Sequence, residues 1–265
     1  MSAALATSLP VLHRFADPAA LAEGAAAWIA SELARAIAAR GRANLALAGG
    51  STPRAMHGRL AIAERTPVVD WSAVWIYFGD ERCVPPDDLA SNYRMARESL
   101  LDHVAVPDGQ VFRIDGERAP AEAARRYHGV LAAAPALDVI VLGMGEDGHV
   151  ASWFPGEAAF GPGALAAATT SPVAPRDRIT ITRRTMATAR AVILVVSGEA
   201  KAARLAQVHA QLLAGKAALP AARVTSAGGP PHWFVDDAAA SALPPPPAPE
   251  PEPELEPEPR DEETP

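Results

Sequence analysis

In the stretch GEDGHV, Gly145 to Val150, a carboxylate and an imidazole stand two residues apart on a glycine-rich loop. Asp147 and His149 are well suited to moving a proton. A histidine titrates near neutrality, so it can take a proton from water and return it to a leaving oxygen. A second group lies in FGDER, where Asp80, Glu81 and Arg82 follow one another. A carboxylate there can orient a sugar hydroxyl or a histidine, and a guanidinium can hold phosphate. A third is AGGSTPR, with Gly49, Gly50, Ser51 and Thr52. Two glycines let the backbone approach a ligand, and free N–H groups at a helix start favour a phosphate. Each group alone also has a plainer reading: a structural histidine, a solvated charged loop, a tight strand–helix turn.

Other chemistry fits less well. Gly143 to Gly148 has the spacing G-x-G-x-x-G. A dinucleotide site needs that loop to open a helix, and an acid about 20 residues on. Here Trp153-Phe-Pro155-Gly156 interrupts any helix, and the stretch from Gly163 to Ala168 holds no acid. The loop after Ala48 lacks the Gly-Lys-Ser/Thr of a Walker motif. Cys83 follows Arg82 but has no convincing basic partner to activate it. No metal site is expected: His149 has no H-x-x-x-H or cysteine partner, and the other histidines are scattered.

The elements that must position these residues alternate. Helices are expected over Ala19–Arg40 (ending at Gly41), Pro53–Glu64 (Thr52 as cap), Ser91–Leu101, Pro120–Ala133 and Gly198–Leu213. Strands are expected over Asn44–Ala48, Ala73–Phe78, Leu137–Leu142, Arg178–Thr182, Ala191–Val196 and Trp233–Val235. Near-continuous apolar strands separated by helices predict an α/β fold, a Rossmann-like, mostly parallel sheet with helices on both faces. Ligands of such sheets bind outside the carboxyl ends of the strands. The segments following four strands, Gly49–Pro53, Gly79–Arg82, Gly143–His149 and Ser197–Lys201, should therefore converge. Together they suit a small, anionic, hydroxylated ligand.

Composition divides the chain in two. Residues 244–265 hold ten of the 26 prolines and eight acids against Arg260 alone. Such a segment is expected to be disordered, since it buries too little apolar surface to offset ordering entropy. It carries the whole net charge of −7, leaving residues 1–243 with 23 acids and 23 bases. The neutral body, read as one catalytic α/β domain, shows no nucleic-acid footprint. The longest apolar stretch, Ala19 to Ala39, contains Glu23, Glu32 and Arg35, which argues against a membrane span. With one cysteine, a reducing, cytoplasmic setting is expected. No partner for the acidic tail is legible.

The segments LALAGGSTP, VWIYFGDERCVPPDDLASNYRMARESLL, DVIVLGMGEDGHVASWFPG, RITIT and SGEAKAARL, in that order, resemble the soluble α/β 6-phosphogluconolactonases. That family shares a Rossmann-like fold with the glucosamine-6-phosphate deaminases. The resemblance implies hydrolysis of 6-phospho-D-glucono-1,5-lactone in the oxidative pentose phosphate pathway, without metal or cofactor. It implies His149 as base, with Asp80 and Asp147 orienting it. It also implies that Gly49, Gly50, Ser51, Thr52, Arg82, Arg178 and Lys201 hold the substrate, chiefly its phosphate. Val173 stands where the family often has lysine, so either Arg176 replaces that charge or phosphate is held more weakly. The deaminase loop carries a glutamate where this chain has Phe154. A sugar-phosphate sensor is the non-enzyme alternative.

Overall fold

The computed structural model describes residues 9–62, 68–157 and 160–245. The acidic segment from residue 246 onward, and Glu64 at the expected end of the second helix, lie outside the described residues.

Six strands form the main sheet: β1 (Val11–Phe15), β2 (Ala43–Leu47), β3 (Val74–Phe78), β5 (Val139–Gly143), β8 (Ala191–Val196) and β9 (His232–Asp236). Their order is β1-β9-β8-β5-β2-β3, and every pairing is parallel. β2 is buried along its whole length, as are all but the first or last residues of β5 and β8. Strands buried on both faces need apolar side chains at every position, which explains runs such as AVILVV. The helices are α1 (Pro18–Arg40), α2 (Ser51–Leu60), α3 (Asn92–Ser99), α4 (Pro120–Ala133), α5 (Arg183–Thr188) and α6 (Ala202–Leu213). α1 starts where Asp17 accepts the Ala19 and Ala20 N–H groups at 2.9 and 2.8 Å, and stops at Gly41, φ 71°. Only a residue free to adopt that left-handed conformation ends a helix this way without strain. Among the described residues no helix is long and apolar enough to cross a membrane.

The chain steps to one side of β2 to make β3, then returns past β2 to make β5, β8 and β9 on the other side. The crevice at the carboxyl ends of β2 and β5 is therefore a switch point, where open α/β sheets bind ligands.

A second sheet corrects the expectation for Arg178–Thr182. That strand, β7 (Asp177–Ile181), pairs antiparallel with β4 (Asp80–Arg82) and β6 (Ala166–Thr170) rather than joining the parallel sheet. Gly79 makes the transfer: its N–H bonds Leu47 in the first sheet, and its carbonyl accepts the Ile181 N–H of the second. β1, β4 and β6 escape pattern reading because VLHRF, DER and AAATT show no clean apolar alternation. The cap of α2 is also corrected. The helix begins at Ser51 after Gly50, φ 103°, and not at Pro53 after Thr52. The segment after β8 is not one helix either: a 3₁₀ turn, Glu199–Lys201, precedes α6.

Candidate active site

A cleft of about 590 Å³ opens at the carboxyl ends of the strands. Gly49, Gly50, Ser51 and Thr52 reach it from the end of β2, and Asp80 and Arg82 from β4. Asp147 and His149 come from the loop after β5, Arg178 from β7, and Lys201 from the turn after β8. All ten residues that the family resemblance implies for catalysis or substrate binding thus line one cavity.

The loop after β5 opens no helix. Met144 bridges Val150, and Val150 bridges Trp153, so the six residues between β5 and Val150 fold back as a compact hairpin. Asp147 sits at its tip and accepts two hydrogen bonds from His149, one from the backbone N–H at 3.1 Å and one from Nδ1 at 2.6 Å. Gly145 makes room for this. A Cβ there would lie 2.1 Å from His149 Nδ1 and 2.2 Å from Cε1. The other side of the ring lies against Phe154, with centroids 4.8 Å apart. With Nδ1 donating to Asp147, His149 Nε2 is the free nitrogen, and it has no protein partner among the described residues. Burial pushes the Asp147 carboxyl up, but the His149 N–H, its ring charge and its ring hydrogen bond outweigh this and leave it below the ordinary aspartate value.

Asp80 does not touch His149. Its Oδ2 accepts the Ser152 hydroxyl at 2.6 Å, and its Oδ1 accepts Asn92 Nδ2 at 3.1 Å. Strand pairing sets its direction. Asp80, Arg82, Arg178 and Thr180 share one face of the second sheet, while Glu81 points to the other. There Glu81 accepts the N–H groups of Arg82, Asn92 and Tyr93 and the Ser91 hydroxyl, at 2.7 to 3.0 Å, and so caps α3. Burial pushes its carboxyl up against those bonds. Glu81 is thus a buried structural group and lies outside the cleft.

Arg82 faces Arg178 directly across the β4–β7 ladder. Like charges opposite one another are unfavourable in a sheet. Arg82 Nη1 donates to the Ala90 carbonyl at 2.6 Å, but its Nε is buried and unpaired. Arg178 is only 6% exposed, makes no ion pair among the described residues, and its Nε is also unpaired. Burial, then the Arg82 charge, pull Arg178 below the ordinary arginine range. Among the described residues Lys201 pairs only with Glu146, at 3.8 Å, and Glu146 is mostly in solvent. One buried guanidinium, one half-buried guanidinium and a loosely paired ammonium thus share one cleft, an arrangement suited to an anion.

The structure also decides readings the sequence left open. Val173 lines the cleft and is 65% exposed, whereas Arg176 is exposed and not among the lining residues. Arg176 is thus not placed at the cleft as a lysine at Val173 would be. Burial, then the Asp177 and Glu81 charges, push the Cys83 thiol up to about 11. It is protonated at neutral pH and no nucleophile. Among the described residues no three His, Cys, Asp or Glu side chains are grouped to hold a metal ion. Asn92 and Ser152 were not picked out as site residues. Asn92 reads as a helix start and Ser152 as a loop serine, and only folding brings them to Asp80.

Residues 16–233 match the family model described as glucosamine-6-phosphate isomerases/6-phosphogluconolactonase. The chain belongs to this family. Among its curated relatives in the family are 6-phosphogluconolactonases of Mycobacterium leprae and Rhizobium meliloti. The first is 36% identical over 87% of this chain and 97% of its own length. The second is 40% identical over 75% and 87%. The solved 6-phosphogluconolactonase of Trypanosoma brucei superposes with a TM-score of 0.77 at 29% identity, covering 89% of this chain and all of that one. A monomeric glucosamine-6-phosphate deaminase superposes at 0.75 but is 20% identical, which speaks to the shared family fold alone.

Proposed function

We propose that this chain hydrolyses 6-phospho-D-glucono-1,5-lactone to 6-phospho-D-gluconate, the lactone step of the oxidative pentose phosphate pathway, with His149 as general base. Lactone hydrolysis is the activity of the family relatives, and the chain is an enzyme of that kind. The observation that carries the finer reading is the Asp147–His149 pair, which turns Nδ1 to Asp147 and leaves Nε2 without a protein partner among the described residues, in a cleft that also holds Arg82, Arg178 and Lys201.

In this reading a water at Nε2 loses its proton to the ring as its oxygen adds to the lactone carbonyl. The tetrahedral intermediate collapses with cleavage of the ring C–O bond, and the imidazolium returns the proton to the departing oxygen. Asp147 holds the ring in the useful tautomer and stabilises the imidazolium, which its lowered carboxyl range suits. Arg82, Arg178, Lys201 and the α2 start at Gly49–Thr52 hold the phosphate, far enough from the carbonyl for binding energy to orient it. Asp80, fixed by Ser152 and Asn92, keeps lone pairs for a sugar hydroxyl. Phe154 on the ring of His149 offers no acid for ring-opening amine chemistry, which weighs against a deaminase. A cytoplasmic setting accompanies this role.

The test is direct. Lactone made in place by glucose-6-phosphate dehydrogenase should disappear faster with the protein than without it, after subtracting spontaneous hydrolysis at the same pH. Equal rates would overturn the reading.

A further inference from the structure

Asp236 ends β9 with its side chain fully buried, and it is not among the residues lining the cleft. Its two oxygens accept the Ser197 hydroxyl at 2.5 Å, the Gly198 N–H at 3.0 Å from each oxygen, and the Ala239 N–H at 2.7 Å. No lysine or arginine pairs with it among the described residues. Two of these three partners are the first residues after β8. Gly198, at φ 94°, then starts the turn Glu199–Lys201.

This matters because no close polar partner fixes the Lys201 ammonium: among the described residues it meets only a mostly solvent-exposed carboxylate, at 3.8 Å, while its stem is largely packed. Where the packed side chain enters the cleft is set by the backbone turn, and the turn is held at its root by Asp236. We propose that Asp236 is a positioning residue: through Ser197 and Gly198 it aims Lys201 into the cleft. The proposal rests on the reading that Lys201 holds the substrate phosphate.

Asp236→Asn tests it with little change of shape. Both oxygens are in use, and an amide nitrogen can face only the Ser197 hydroxyl, which can rotate to accept, so the bond to Gly198 weakens while the Ala239 cap remains. KM for the phosphorylated lactone should rise about three- to tenfold with kcat nearly unchanged, as for a lost binding contact. KM for gluconolactone without phosphate should not move. In a Lys201→Met background Asp236→Asn should add nothing further. Ser197→Ala, which removes one bond and leaves the carboxylate, should give the same pattern at smaller size, and it guards against misfolding of the first variant. Equal losses on both lactones, or a full additional effect on top of Lys201→Met, would show that Asp236 only supports the fold. A Lys201→Met protein with normal KM would instead remove the phosphate role of Lys201. That failure is distinct from one in which Lys201→Met raises KM and Asp236→Asn does not.

Discussion

The two ends of the central sheet treat buried charge in opposite ways. At the amino ends of the strands, Asp138 is 5% exposed and fully provided for. Oδ1 pairs with Arg40 at 2.6 Å and Arg190 at 3.2 Å, and Oδ2 accepts the Asn44 backbone N–H at 2.8 Å. These contacts tie the end of α1 to β2, β5 and the approach to β8. At the carboxyl ends, Arg178 faces Arg82 and, among the described residues, makes no direct ion pair, and His149 Nε2 has no protein partner there. Charge that the protein itself satisfies is scaffold. Charge that it gathers and leaves unsatisfied fits the proposed binding site, where the partner would come from solution.

That contrast breaks most visibly at His149. His149→Ala should lower kcat by about 10²–10⁴-fold, the usual range for a lost general base, with little change in thermal midpoint. His149→Gln should not restore it, because an amide keeps hydrogen bonds but takes no proton. A folded His149→Ala enzyme with near-normal turnover, after correction for spontaneous hydrolysis, would end the general-base reading and move attention to Asp80 or Asp147.

At the other end the effect should fall on stability. Asp138→Ala should cost about 2–4 kcal/mol in denaturant unfolding, since it strands a buried backbone N–H and two guanidiniums that are partly in water. The kcat and KM of the protein that remains folded should be close to normal. A larger loss of kcat than of stability would mean that the two ends are not separable.

His57 sharpens the rule, because its Nε2 is also buried and unpaired, yet it lies away from the cleft. Burial takes its imidazole from 6.5 down to about 4, so it is buried neutral and wants no anion. A lowered histidine value means that the unfolded chain binds the proton first. Stability is whole above pH 6.5 and is lost as pH falls toward 4, by on the order of 3 kcal/mol. His57→Gln, which can keep the bond to Ser99, should flatten that part of the stability–pH curve. The same slope in both proteins would place the acid sensitivity elsewhere.

Arg178→Met should raise KM for the phosphorylated lactone about tenfold or more, by loss of a charge-assisted contact of roughly 1.5–3 kcal/mol. The thermal midpoint should hold or rise, because a buried like-charge contact is relieved. A marked drop in stability would make Arg178 part of the scaffold after all. The smallest effect is expected from ending the chain after Leu243, which we propose leaves kcat and thermal midpoint unchanged.

Much of this was legible in the residues themselves. Long apolar runs such as VIVLG and AVILVV have one use in an α/β chain, the interior of a parallel sheet, so the fold class follows from burial on both faces. The rule that ligands gather at strand carboxyl ends points to the segments Gly49–Pro53, Gly79–Arg82, Gly143–His149 and Ser197–Lys201, and the family resemblance implies Lys201's part in holding phosphate. Arg178 came from the family resemblance, for no periodicity distinguishes DRITI as a cleft strand. What the sequence could not specify depends on pairing between distant segments. Register in the β4–β7 ladder turns Arg82 toward Arg178 and Glu81 away from both, and a shift of one residue would reverse this. Folding assigned Asp80 to Ser152 and Asn92, left Asp147 as the carboxylate that holds His149, and joined Asp236 to a turn 38 residues earlier in the chain. Local pattern determines which segments are buried and how each begins and ends. Only the assembled sheets decide which polar groups find partners, because those partners are brought together by packing and not by proximity in the chain.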